Sequence, residues 1–230
     1  MIDRRQFLVG AAALVVVSSC GAPRLPRREP TARPSIRARS DWADDPPLWT
    51  PPTEDPRIVV VHHTASSNVY SPSDVPGILR TIYRNHTGHY SGGQWPDIAY
   101  NFIVDQFGTI WEARVVSADG PVAGDATGGN QGHSILCCWL GTHDDEPPSQ
   151  PAIDAMVSLI AWQAARYRIT VGLGATATFA SRGSSLWPEG DKVTVPTVCG
   201  HRDVSDVTCP GDAGYEVVGS LPALVRTAYG

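Results

Sequence analysis

Arg57-Ile58-Val59-Val60-Val61-His62-His63 (RIVVVHH) is the stretch on which the fold turns. Four apolar β-branched residues in a row leave no polar face for water, which is the pattern of a strand buried on both sides. Such a strand sits inside a sheet, so covering helices are expected in front of it and behind it. Downstream, Val75, Ile78, Leu79, Ile82 and Tyr83 recur at helical spacing across Asp74–His86, with Ser71 or Ser73 expected as the cap. Ala99–Val104 and Thr109–Ala113 flank Gln106-Phe107-Gly108 and predict a hairpin. Ser134–Leu140 predicts a second apolar strand, and Ile153–Arg168 an amphipathic helix with Ile153, Met156, Val157, Ile160 and Ala164 on one stripe. Val193–Gly200 predicts a strand leading into a loop from His201 to Cys209, and Leu221–Tyr229 a closing helix with Pro222 confined to its first turn. The expected fold class is α/β: a mixed central β-sheet with helices packed on both faces, in a single domain.

Upstream of this body the chain changes character. Residues 1–19 have the charged start, apolar centre (Leu8–Val17) and small-residue end of an export leader, too short to span a bilayer. Arg4-Arg5-Gln6-Phe7-Leu8 resembles a twin-arginine export motif, with Asp3 where Ser or Thr is usual, and Val17-Ser18-Ser19-Cys20 resembles a bacterial lipobox. Cys20 is therefore expected to carry lipid, and residues 20–39 to form a Pro- and Arg-rich linker ahead of a domain at 40–230. Charge divides the same way. Residues 1–40 hold eight arginines against Asp3 and Glu29, a net +6, whereas residues 41–230 carry a net −11. An acidic body lacks the footprint for binding nucleic acid, while the basic linker suits an anionic membrane. The expected setting is the cell envelope, with the protein exported, membrane-anchored and monomeric.

Three places concentrate metal-ligand chemistry: His62-His63 at a strand end, then His201 and Cys209 in one loop. Two imidazoles and a thiolate suit zinc, and three protein ligands leave a fourth position open, as in catalytic sites. Spacing alone leaves a shared site and unrelated residues both open. Neither a His-Glu-x-x-His pair nor a Gly-x-Ser-x-Gly elbow is present.

A resemblance goes further. Arg39-Ser40-Asp41-Trp42, Val59–Thr64, Trp95-Pro96-Asp97-Ile98-Ala99-Tyr100-Asn101-Phe102-Ile103, Gly108–Arg114, Ser134–Gly141, Cys199–Val204 and Cys209-Pro210-Gly211-Asp212 occur in order. Together they resemble the peptidoglycan recognition protein and N-acetylmuramoyl-L-alanine amidase family (type 2 amidases), over about residues 39–215. The resemblance implies that His62, His201 and Cys209 bind Zn2+ and that Tyr100 is catalytic. The implied reaction is metal-assisted hydrolysis of the amide between N-acetylmuramic acid and L-alanine in peptidoglycan, with the Tyr100 hydroxyl donating to the oxygen that becomes negative. A non-hydrolytic muropeptide-binding module is the alternative. His63 is assigned to the groove wall, His89 and Trp95 to glycan contact, and Arg114 with Trp111 to the stem peptide. One departure stands out: many active relatives place Lys or Thr two residues before the metal Cys, where this chain has Val207, with Thr208 next to it.

The remaining candidates favour structural roles. Asp203 is expected to brace the loop backbone, and His86, His133 and His143 to be structural. Val171–Val195 is expected to be a hairpin or loop near the groove. Cys137 and Cys138 must face opposite ways in a strand, so at most one can meet Cys199; three buried free thiols is the other possibility.

Overall fold

In the computed structural model, which describes residues 31–88, 95–128 and 133–230, the RIVVVHH stretch forms strand β2 (Ile58–His63), buried at all six positions. It follows the short β1 (Ile36–Arg37) and precedes helix α1 (Val75–His86), hairpin strands β3 (Phe102–Val104) and β4 (Ile110–Glu112), and β5 (Ser134–Trp139). Helix α2 (Gln150–Tyr167), strands β6 (Thr176–Ala180), β7 (Lys192–Pro196) and β8 (Val198–Gly200), and helix α3 (Asp212–Tyr229) complete the chain. The main sheet runs β1-β4-β3-β5-β2-β8. Only the β3–β4 pair is antiparallel, so the sheet is mixed, as expected.

Alternation along the strands sorts the core into two sides. Val59, Val61, Phe102, Val104, Ile135, Cys137 and Trp139 pack against α2 and α3. On the other side, Ile103 and Cys138 meet Val75, Leu79 and Tyr83 of α1 together with Trp42. Ile58, Val60 and Leu136 meet Phe179, Val193 and Val195 of the separate β6–β7 hairpin. The sheet is thus covered by two helices on one face, and by one helix plus a hairpin on the other.

Several boundaries differ from expectation, each for a local reason. Ser71 does not cap α1, because its hydroxyl and backbone N–H both donate to the Asp74 carboxylate, at 2.7 and 2.8 Å. Helix α2 starts earlier than Ile153, since Ser149 Oγ accepts the Ala152 N–H and Pro151 fits the first turn. The expected strand Val193–Gly200 is two strands in two sheets. Pro196 has no N–H to donate, and Thr197 crosses between the sheets, receiving the Val59 N–H while its hydroxyl donates to the Thr170 carbonyl at 2.6 Å. Helix α3 begins at Asp212 instead of Leu221, which places Pro222 inside it; Gly214, Val218, Leu221 and Val225 form one buried stripe across that proline. Cys137, Cys138, Cys199 and Cys209 are all free thiols.

Several of the motif residues hold this frame together. The fully buried Asp97 carboxylate takes a two-pronged contact from Arg39, at 2.8 and 3.1 Å, and accepts the N–H groups of Ile98 and Val115. Asn101 bridges three segments through Ser117, the Val122 carbonyl and the Leu136 N–H. Residues 1–30, including the expected leader and Cys20, lie outside the described residues.

Candidate metal centre

The two histidines that end β2 part company by alternation. His62 has the parity of Val60 and faces the α1 side. His63 faces the α2 side, where its Nδ1 accepts the His143 N–H at 3.1 Å. It is buried there and forms no groove wall, contrary to its assignment from the resemblance.

The other two ligand candidates arrive on the loop after β8. Asp203 fastens its first turn, accepting the Gly200 N–H at 2.8 Å and the Tyr215 hydroxyl of α3 at 2.7 Å, the bracing role expected of it. Arg202 lies 4.7 Å over the Tyr215 ring, and its backbone N–H donates to the Cys209 carbonyl at 2.9 Å. Past Cys209 the chain must turn sharply: Gly211 has φ +84°, and a Cβ there would stand 2.3 Å from the His143 carbonyl oxygen.

These constraints gather the ligand atoms of His62, His201 and Cys209 within 4.8 Å of one another. Cys209 Sγ is 3.7 Å from His62 Nδ1, close to the roughly 3.6 Å separating N and S donors on one tetrahedral zinc. The other ring nitrogen, His62 Nε2, is buried and has no hydrogen-bond partner among the described residues. Burial, reinforced by His201 and His63, holds the His62 imidazole well below its ordinary pKa, and burial takes His201 down to about 4. Both rings are therefore neutral with lone pairs to give. Burial pushes the Cys209 thiol up to about 11, opposed by the His63 N–H and the Arg202 guanidinium; a dication beside the sulfur reverses that balance. Two nitrogens and a sulfur, with no fourth protein ligand in the cluster among the described residues, fit a zinc ion that keeps one position open.

Tyr100 lies against this cluster, its ring centroid 5.1 Å from that of His62. Burial, together with the nearby thiols Cys138 and Cys209, holds its phenol well above the ordinary value, so the hydroxyl keeps its proton and can only donate to a developing anion. Cys138 is a neighbour that spacing did not suggest. The parallel register of β5 against β2 puts it directly opposite His62. Val207 is 40% exposed and brings no donor or acceptor on its side chain. Arg114, in contrast, is fully buried and spends its guanidinium on the Ile98 and Ala123 carbonyls, both at 2.7 Å, and on Asp125. It braces the scaffold and presents no donor to a stem peptide. His89 lies outside the described residues.

Trp95 is 37% exposed, with its ring edge-on to His86 at 5.0 Å, and His86 in turn contacts the Tyr100 ring at 5.7 Å. His86 Nδ1 accepts the Ala99 N–H at 3.0 Å, and burial, helped by the Arg114 charge, takes the imidazole down to about 4. An unfolded chain protonates this ring near pH 6.5, the folded one not until about pH 4. The depressed value contributes stability that is complete above pH 6.5 and is lost as pH falls toward 4, on the order of 3 kcal/mol. Thermal melts in chelator should therefore fall more steeply over that window in the native sequence than in His86→Asn, whose amide oxygen can accept the same N–H. Equal slopes would remove His86 from the account.

A family profile described as N-acetylmuramoyl-L-alanine amidase matches residues 52–212. The chain belongs to that family. Peptidoglycan recognition protein 1 of Mus musculus is 28% identical over 187 residues, covering 80% of this chain and 86% of the mouse protein. Two solved structures share the fold. Human PGRP-IβC, in complex with glycosamyl muramyl pentapeptide, matches with TM-score 0.61 and 23% identity over 82% of this chain and 96% of that one. The N-acetylmuramoyl-L-alanine amidase LysC from Clostridium intestinale URNW matches with TM-score 0.59 and 17% identity over 84% of this chain and 99% of that one. The family thus embraces both amidases and recognition proteins. Among the described residues no helix is long and apolar enough to cross a membrane.

Proposed function

We propose that this family member is a zinc-dependent amidase that cuts between N-acetylmuramic acid and L-alanine in peptidoglycan, at the cell envelope and tethered through lipid on Cys20. The observation that carries the reading is the convergence of His62, His201 and Cys209 beside Tyr100, with one side of the cluster free of a protein ligand. When bound, zinc supplies a Lewis acid and lowers the pKa of water toward neutrality. The chain's own residues supply the rest. His62 is fixed by a central strand, His201 and Cys209 by a braced loop, and the three together set where the amide carbonyl must lie. Tyr100 offers a protonated hydroxyl to the carbonyl oxygen as negative charge builds on it, a contact stronger in the transition state than in the ground state. Trp95, half-exposed beside His86, offers an aromatic face for the apolar side of a sugar ring.

Purified muropeptides test this directly. The protein should release peptide bearing a free L-alanine amino terminus, lose that activity on chelation and regain it with zinc. One observation favours the second reading, a muropeptide-binding module: Val207 puts an apolar side chain where many active relatives place Lys or Thr. Tight muropeptide binding without release at any zinc concentration would establish the module and end the amidase proposal.

A further inference from the structure

One cavity lies on the opposite side of the sheet from the metal centre. It measures about 700 Å³ and opens between the ends of α2 and α3, the segment Thr31–Arg33 and the loop at Ala118-Asp119. Its floor is apolar, made by Trp162, Ile169, Val171 and Val225, all on the α2–α3 side of the core. Its rim carries three guanidinium groups, of Arg33, Arg166 and Arg226, against two carboxylates: that of Asp119, which pairs with Arg33 at 3.3 Å, and the terminal carboxylate of Gly230. The guanidinium groups of Arg33 and Arg166 lie 5.5 and 5.3 Å from the Trp162 ring centroid. Arg166 is held by backbone carbonyls, at 2.8 Å from that of Ala118, so no carboxylate neutralises it. Arg226 is exposed and makes no salt bridge among the described residues. Tyr229, 41% exposed, completes the edge.

An apolar floor under an arginine rim, with Tyr229 at the edge, matches the chemistry of a bilayer interface. The linker itself is excluded as occupant, because Arg24, Arg27 and Arg28 carry the same sign as the rim. The described chain enters the rim at Thr31 and Arg33. We propose that this groove is a headgroup site through which the domain lies on a membrane containing anionic phospholipid. The α2–α3 side then faces the bilayer, and His62, His201 and Cys209 face away from it, toward the wall. The eleven residues from Cys20 to Thr31 span at most about 40 Å, within reach of a membrane-held Cys20. The groove site itself depends on neither acylation nor catalysis.

The test uses the full chain carrying Cys20→Ser, sedimented with vesicles of phosphatidylcholine alone or mixed with phosphatidylglycerol. Binding should require phosphatidylglycerol and weaken with salt. Each arginine near an anionic surface is worth about fivefold in partitioning, so Arg166→Gln/Arg226→Gln should bind about twenty-five-fold more weakly. That variant should stay folded, its melting temperature lowered by only a few degrees through loss of the Arg166 contacts with the Ala118 and Asp119 carbonyls, and should keep its action on soluble muropeptides; Cys209→Ala should bind vesicles as the parent does. Unchanged vesicle binding by the double arginine variant, with binding lost only on replacing Arg24, Arg27 and Arg28, would overturn the proposal and assign the contact to the linker. Failure of the amidase assay leaves every one of these vesicle outcomes readable.

Discussion

Tyr100→Phe should lower kcat on muropeptides by about 10²–10³-fold while zinc content stays unchanged. The substitution removes one oxygen and keeps the ring, so the contacts with His62 and His86 survive. The three ligand candidates do not include Tyr100, which is why metal binding should be untouched. The loss should appear in kcat with KM little changed, since the hydroxyl donates most strongly to charge that exists only as the amide is attacked. A parallel fall in bound zinc would mean that Tyr100 shapes the metal pocket. A change of less than about threefold would remove it from the reaction.

Arg114→Met should be the most damaging single change to stability. It leaves the Ile98 and Ala123 carbonyls and the Asp125 carboxylate without their partner in a fully buried setting. Breaking a buried ion pair by deleting one member costs about 3–5 kcal/mol. The Asp125 side chain is 27% exposed, so water moderates the penalty toward the lower figure. For a domain of this size a loss of about 3 kcal/mol lowers Tm by roughly 10 °C. The fraction that remains folded at low temperature should bind muropeptide as tightly as the native protein. Weakened binding by folded Arg114→Met would restore the stem-peptide role that burial denies it.

The contrast between these two residues shows what a sequence carries. Strand β2 announces itself because two-sided burial forces an unbroken apolar run, and α1 because one-sided burial forces a periodic one. The split between β7 and β8 was marked in the sequence only by Pro196, and which sheet each half joins depends on tertiary pairing. Helix α3 was foreshortened by giving Pro222 too much weight against a stripe that passes through it. His62, His201, Cys209 and Tyr100 were assembled through the order of motifs, and the geometry does bring them together. Cys138 stayed invisible because only strand register makes it a neighbour of His62. Arg114 misled for the opposite reason: a charged residue in a motif suggests a ligand contact, and its burial is a tertiary fact.

The metal cluster joins two parts of the molecule that differ in how firmly they are held. His62 belongs to a strand paired with β5 along its whole length and with β8 over Val59–Val61, in the middle of the sheet. His201 and Cys209 belong to a partly exposed loop secured by side chains such as Asp203 and Tyr215, which can loosen while the sheet stays intact. An ion bound by all three would act as a clasp with one fixed jaw and one hinged jaw. Its ordering effect would fall on the hinged side, the loop that carries His201 and Cys209.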